Sequence, residues 1–282
     1  MTHPLPMPTL DHVVVNVRDQ IDAGAEAYRR LGFTLTPRGY HTLGSMNHLA
    51  MFGTDYLELI AASAGETRRP DVLGAPFGLN GLVFGTEDSA AVHEALVEAG
   101  VPAGPPNQFS RPVVLDNGKS GDATFRTVTL ASGTIPAGRV YFCHHFTRHL
   151  VWRDEWRHHA NGAIAVASAV IASRDPSASG GVFARMFGAD AVREIPGGCS
   201  LAVGLSRFDI LTHDALVNRF GDAAPSGDGR PEFMAALTFR TRSLDLAAAA
   251  LQAGEVTVAW QEAERIVVPA CAAYGCAIEF VA

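Results

Sequence analysis

The chain has 282 residues and a mass of 29.9 kDa, enough for one large domain or two of ordinary size. Apolar residues make up 48% and charged residues 18%, with a mean hydropathy of +0.12, which excludes a disordered chain. A formal net charge of -7 argues against a nucleic-acid surface, which needs basic clusters to displace counterions from phosphate. No apolar run reaches the ~18 residues of a membrane span, and the start MTHPLPMPTLDH has no basic-then-apolar signal pattern. The expectation is a soluble cytoplasmic protein with no nucleic-acid or membrane partner.

In chain order, LDHVVVNVRD (10–19) reads as a strand ending at Asp19, a helix N-cap candidate. IDAGAEAYRRLGF follows as a helix stopped at Gly32, and FTLTPRGYH, NHLAMFG and DYLELIAAS supply three more strands. The same order returns at NGLVFGTED (80–88), where a helix ends at Gly100 and the strands TFRTVTLA and GRVYFCHH follow. It returns at AIAVASAVIASRD (163–175), with a helix to Gly188 and then CSLAVGL and RFDILTH. The last copy begins at FMAALTFRTRSLD (233–245), with a helix to Gly254 and then RIVVPA and CAIEFVA. Four copies of one supersecondary unit predict an α+β fold of four βαβββ units, paired into two cup-shaped halves with the helices outside.

The halves are expected at 1–147 and 162–282, joined by 148–161 (TRHLVWRDEWRHHAN spans this stretch). Trp152 and Trp156 in that connector predict a short helix docked between the halves. His149, His158 and His159 read as exposed or interface residues. Cys143, Cys199, Cys271 and Cys276 read as buried reduced thiols, since no CxxC pair is present. There is no GxSxG elbow, no phosphate loop and no HExxH.

The stretches LDHVVVNVRD and GTDYLELIA, set in four βαβββ units, resemble the vicinal oxygen chelate superfamily. The nearer likeness is to its bacterial glyoxalase-like proteins, to which HTLGSMNHLAMFGTDYLELI and FCHHFTRHLVWRDEWRHHANGA are similar. The resemblance covers nearly the whole chain. It implies metal ligands on the first and fourth strands of each unit, pointing into a cup. His12 matches the first-strand position and Glu58 the fourth. The positions matching His12 elsewhere are Gly81, Ser168 and Ala236 or Thr238, and those matching Glu58 are about Cys143, Asp209 and Glu279.

One site is therefore expected, in the N-terminal half, with His12 and Glu58 as ligands of one divalent ion (Zn, Fe, Mn, Ni or Co). The third ligand is His145 if units one and two share a cup, or Glu279 if unit one pairs with unit four. His145 is preferred. His48 and Glu58 are the candidate catalytic acid/base groups, acting on a small substrate with vicinal oxygens in a proton-transfer, isomerase or lyase reaction. A metal-free binding protein on the same fold is the alternative. An extradiol dioxygenase is disfavoured, because the C-terminal half lacks the histidines it requires. Two paired halves in one chain fit a monomer or a homodimer.

Overall fold

The computed structural model describes residues 5–115 and 118–282. Its first unit runs β1 (Leu10–Asn16), α1 (Ile21–Arg30), β2 (Gly39–Tyr40), β3 (Ser45–Met51) and β4 (Tyr56–Ala62). A short helix α2 (Pro70–Leu73) leads to the second unit: β5 (Gly78–Gly85), α3 (Ser89–Glu98), β6 (Asn107–Val114), β7 (Ser120–Thr129) and β8 (Arg139–His145). The third is β9 (Ala163–Ser173), α4 (Pro176–Phe187), β10 (Val192–Ile195), β11 (Gly198–Val203) and β12 (Ser206–Leu211). After α5 (His213–Phe220) comes the fourth: β13 (Glu232–Thr241), α6 (Leu244–Ala253), β14 (Trp260–Gln261), β15 (Arg265–Val268) and β16 (Ala277–Val281).

The fold is α+β, with four βαβββ units in two eight-stranded sheets. The orders are β2-β3-β4-β1-β5-β8-β7-β6 and β10-β11-β12-β9-β13-β16-β15-β14. In each sheet the two first strands pair antiparallel at the centre, and each first strand lies parallel to its own unit's fourth strand. Units one and two thus share a sheet, which removes Glu279 of the fourth unit as a partner for His12.

Period-two alternation sorts the side chains. Val13, Val15, Leu57 and Leu59 of the first sheet join Ala169, Ile171, Leu237 and Phe239 of the second, with the helices, in one continuous core. The opposite faces form two separate clusters. One contains Val14, Leu49, Met51 and Ile60, the other Val170, Ala172, Ala235 and Ala277. Each sheet therefore turns one face to the common core and curves the other around a cup of its own.

Several local expectations need correction. Helix α1 begins after Gln20, with no side-chain cap, because Arg18 in the left-handed region (φ 53°) turns the chain before Asp19 reaches the helix. The connector forms two 3-10 turns, Arg148–Leu150 and Asp154–Trp156, and Trp152 packs inside the N-terminal cluster against Tyr56 and His145 rather than between the halves. His159 receives the Thr34 N–H at Nδ1 and bonds the Met51 carbonyl through Nε2, an internal packing role. Cys143, Cys199 and Cys276 are buried, but Cys271 is exposed. Gly254 is not left-handed (φ -81°). Its place is set by close approach, since a Cβ there would lie 2.0 Å from the Arg30 carbonyl oxygen.

Candidate active site in the N-terminal cup

Alternate residues of six strands converge on a cavity of about 520 Å³. His12 comes from β1, Asn47 and Leu49 from β3, Glu58 and Ile60 from β4, Phe109 and Arg111 from β6, Phe125 from β7, and Arg139 and Tyr141 from β8. His41, in the turn between β2 and β3, also faces inward.

His12 is the hinge of the arrangement. Its Nδ1 lies 2.5 Å from Asp11 Oδ1, its Nε2 3.0 Å from the Tyr141 hydroxyl and 3.6 Å from Glu58 Oε2. The Tyr56 ring stacks on the imidazole at 4.4 Å. A carboxylate on Nδ1 favours the Nδ1–H tautomer, which leaves the Nε2 lone pair facing the cavity. Burial raises the Tyr141 phenol well above its ordinary pKa, so its hydroxyl stays protonated and donates to Nε2.

The Glu58 carboxylate is buried, which alone would raise its pKa, but His12, His41 and the Asn47 amide hold it below the usual carboxylate range. Asn47 Nδ2 donates to Glu58 Oε1 at 2.6 Å, so Oε2 is the oxygen left for chemistry. Burial drives His41 down to about 4, against the pull of Glu58. It is neutral at pH 7, with Nδ1 2.9 Å from the Ser45 hydroxyl.

His145 stands apart from Glu58. Its Nε2 donates to Asp11 Oδ1 at 3.0 Å, and its ring packs against Phe125 and Trp152. Burial would raise Asp11, but the imidazoles of His145 and His12 hold its carboxyl far below the ordinary value. His48 is on the other face of β3 from Asn47 and Leu49. It bonds the Thr36 carbonyl at 2.7 Å, and burial lowers its pKa. The cup thus brings together His12 and Glu58, and it brings in neither His145 nor His48.

The register also revises one equivalence. His12 lies opposite Tyr56 in the β1–β4 ladder, with Glu58 two residues on, while Gly81 lies opposite Arg139 in the β5–β8 ladder. Tyr141, not Cys143, therefore stands where Glu58 does. The four central positions of the cup are His12, Glu58, Gly81 and Tyr141. Sequence reading missed Asp11, His41 and Arg111 as well. Period-two counting back from Tyr141 would have flagged Arg139, but nothing local marks the others.

Two donor groups could hold an ion. His12 Nε2 and Glu58 Oε2, 3.6 Å apart, can both reach one ion at ligand bonds of about 2.1 Å. The Asp11 carboxylate on the far ring nitrogen is the support that metal-bound histidines ordinarily have. Behind them, Asp11, Cys143 and His145 place an oxygen, a sulfur and a nitrogen within 4.8 Å of one another. The donor chemistry fits a divalent ion in either place.

In the C-terminal cup the corresponding positions are Ser168, Asp209, Ala236 and Glu279. Here α5 enters the concavity, and Leu216 and Phe220 fill it. Arg219 puts Nη1 3.1 Å from Asp209 Oδ2 and Nη2 2.7 Å from Glu279 Oε2. Its guanidinium takes the place between the two carboxylates where a cation would go. Asp209 and Glu279 are buried partners of arginines, Arg207 also binding Asp209 and Arg265 also binding Glu279.

The comparisons with known proteins agree with this architecture. A family described as "Glyoxalase-like domain" matches residues 10–187, well over half of the chain. The chain belongs to that family. The match begins at β1 and runs through the N-terminal cup to the end of α4. This glyoxalase-like chain is similar in structure to a hypothetical protein from Staphylococcus aureus (TM-score 0.67, 13% identity, covering 97% of this chain and 99% of that one). It is also similar to a mutant of 4-hydroxymandelate synthase from Streptomyces coelicolor (0.64, 13%, covering 98% and 93%). A third similar structure is a xylose isomerase-like TIM barrel/4-hydroxyphenylpyruvate dioxygenase fusion protein (0.61, 11%, covering 99% of this chain and 49% of that one). At these identities the likeness is one of fold. No curated protein matches the chain. The fold and family place the glyoxalase-like chain in the vicinal oxygen chelate superfamily, and no helix among the described residues is long and apolar enough to cross a membrane.

Proposed function

We propose that the protein is a metal-dependent enzyme that moves a proton on a small organic substrate with vicinal oxygens, an isomerase or lyase acting in the N-terminal cup. The observation that carries this reading is the Asp11–His12–Glu58 alignment, with the carboxylate 2.5 Å from Nδ1 and the second carboxylate 3.6 Å from Nε2 at the floor of a 520 Å³ cavity. His12 and Glu58 are the residues that would hold one divalent ion, with the Tyr141 oxygen as a third neighbour. Such an ion supplies Lewis acidity to two adjacent substrate oxygens.

The remaining work falls to the chain. Asp11 orients the imidazole, and Asn47 fixes the plane of the Glu58 carboxylate. Glu58 is kept ionised, and its Oε2, when not held by the ion, is the base that takes the proton from the substrate carbon. The Tyr141 hydroxyl, kept protonated, donates a hydrogen bond to the oxygen on which charge develops. Phe109, Phe125, Leu49 and Ile60 exclude water around the reacting atoms.

The test is metal content of the gently purified protein and of His12→Ala and Glu58→Gln variants of verified fold, together with hydrogen exchange of small 2-hydroxy carbonyl compounds in deuterium oxide. About one ion per chain, lost in both variants, with enzyme-dependent exchange at the carbon beside the carbonyl, supports the reading. Failure to bind Zn, Fe, Mn, Ni or Co on reconstitution overturns it. One observation favours a metal-free binding protein instead: Gly81 and Tyr141 stand at two of the four central positions, and neither is a strong ligand. That reading requires ligand binding that survives a chelator.

A further inference from the structure

Among the described residues, one guanidinium of the cavity has no counterion. Arg111 is 6% exposed, and its side chain makes no hydrogen bond or ion pair among the described residues. The other arginines of the cup are taken. Arg69 and Arg139 share Asp71, at 2.9 and 3.0 Å, and Arg68 is bound by Glu66. Burial lowers the Arg111 pKa, and the only groups pulling it back are Tyr56 and Glu58, neither in contact with it. An isolated buried cation is costly, and chains keep one only where something compensates.

The surroundings are built around this side chain. Gly39 makes room for it, since a Cβ there would lie 2.9 Å from Arg111 Nη1 and 2.5 Å from Asn47 Oδ1, itself a buried oxygen without a partner. Arg139 adds two further buried donors, Nε and Nη2, that meet no acceptor. Beside Arg111, Phe109 and Phe125 stack at 5.3 Å with 27° between their planes, and His41 closes on them edge-on. Glu58, on the same cavity wall, repels a dianion.

We infer that Arg111 is a substrate-recognition residue, and that the ligand of the cup is a monoanionic carboxylic acid with a flat apolar body. The carboxylate docks on the Arg111 fork, and the body lies along Phe109 and Phe125. This rests on the same cavity as the proposed function and narrows its substrate. A planar guanidinium matches a carboxylate through two parallel hydrogen bonds, which a lysine cannot reproduce.

Calorimetric titration of the whole protein with benzoate, benzyl alcohol and phenyl phosphate tests the assignment. Benzoate is expected to bind more tightly than either of the others. Arg111→Met is expected to weaken benzoate at least tenfold, leave benzyl alcohol within twofold, and raise the thermal midpoint, because an unpaired buried charge is gone. Arg111→Lys keeps the charge without the fork and falls between. Repeating the titration with Glu58→Gln, and after chelation, separates the two readings, because the benzoate contact persists there even if no ion binds. Benzoate affinity unchanged in Arg111→Met and Arg111→Lys overturns the proposal. So does a wild type that ignores millimolar benzoate, or one that prefers phenyl phosphate tenfold.

Discussion

Glu58 and Tyr141 occupy the same place in two successive βαβββ units, each two residues beyond the partner of its unit's first-strand position. Both reach the His12 Nε2 atom, the carboxylate at 3.6 Å and the phenol at 3.0 Å. The cup is therefore chemically asymmetric although its backbone is nearly twofold. One unit supplies charge and the other a neutral donor.

Asp11 holds His12 by its far ring nitrogen, so its effect on an ion held by His12 and Glu58 would be indirect. Asp11→Asn is expected to weaken binding of a divalent ion by roughly 10- to 100-fold while leaving one ion per chain at saturation. Titration of the metal-free protein with zinc measures this. Affinity equal to wild type would detach Asp11 from the site.

Arg219 bridges Asp209 and Glu279, which are both almost fully buried. Arg219→Met leaves Asp209 with Arg207 and Glu279 with Arg265, both partly exposed partners, and a loss of about 2 kcal/mol is expected. Adding Asp209→Asn and Glu279→Gln should restore most of it. Urea unfolding of the single and triple variants is the measurement, and a single variant within 1 kcal/mol of wild type, roughly the worth of an exposed pair, contradicts the arrangement.

Two buried groups act oppositely on stability between pH 4 and 6. Burial raises Asp55 to about 6, so the folded state holds its proton where the unfolded chain has lost it. That stability is full below about 3.8 and disappears as pH rises through 6. Burial lowers His41 to about 4, so the unfolded chain binds the proton first, and stability is lost as pH falls from 6.5 towards 4. Each contribution is on the order of 3 kcal/mol. Asp55→Asn should expose the His41 slope, with stability rising from pH 4 to 6.5. His41→Asn should expose the opposite slope. Parallel profiles in wild type and both variants would remove these two groups as the cause.

The close contact of Gly254 with the Arg30 carbonyl oxygen joins α6 to the end of α1. Gly254→Ala must push the two helix ends apart, at about 1–3 kcal/mol. Gly181→Ala, on α4 with nothing within 4 Å of its Cβ position, is the control and should be neutral or stabilising. Thermal unfolding of both variants decides it.

Much of this molecule is legible in its sequence because βαβββ units are locally encoded. Alternation decides which residues share a face within LDHVVV and within YLELI, and the parallel β1–β4 ladder then puts His12 and Glu58 on the same face, while the helix stops at Gly32, Gly100 and Gly188 follow from positive φ that glycine alone adopts freely. The ladders that join strands far apart in sequence are different. Whether Tyr141 or Cys143 matches Glu58 depends on the register of β5 against β8, and a turn length cannot fix that. The cup's other functional groups depend on sheet closure. Arg111 comes from the edge strand β6 and His41 from the β2–β3 turn, and they meet only because the sheet curves. Asp11 and His145 join for the same reason. Helix α5 follows no repeat, so nothing in the sequence foretells that Arg219 would lie between two carboxylates and close the second cup. The sequence by itself determined the repeat and the alternation, and it pointed to His12 and Glu58 as candidates. The tertiary structure decided the partners, because those contacts cross between strands whose relative placement is set by packing of the whole sheet.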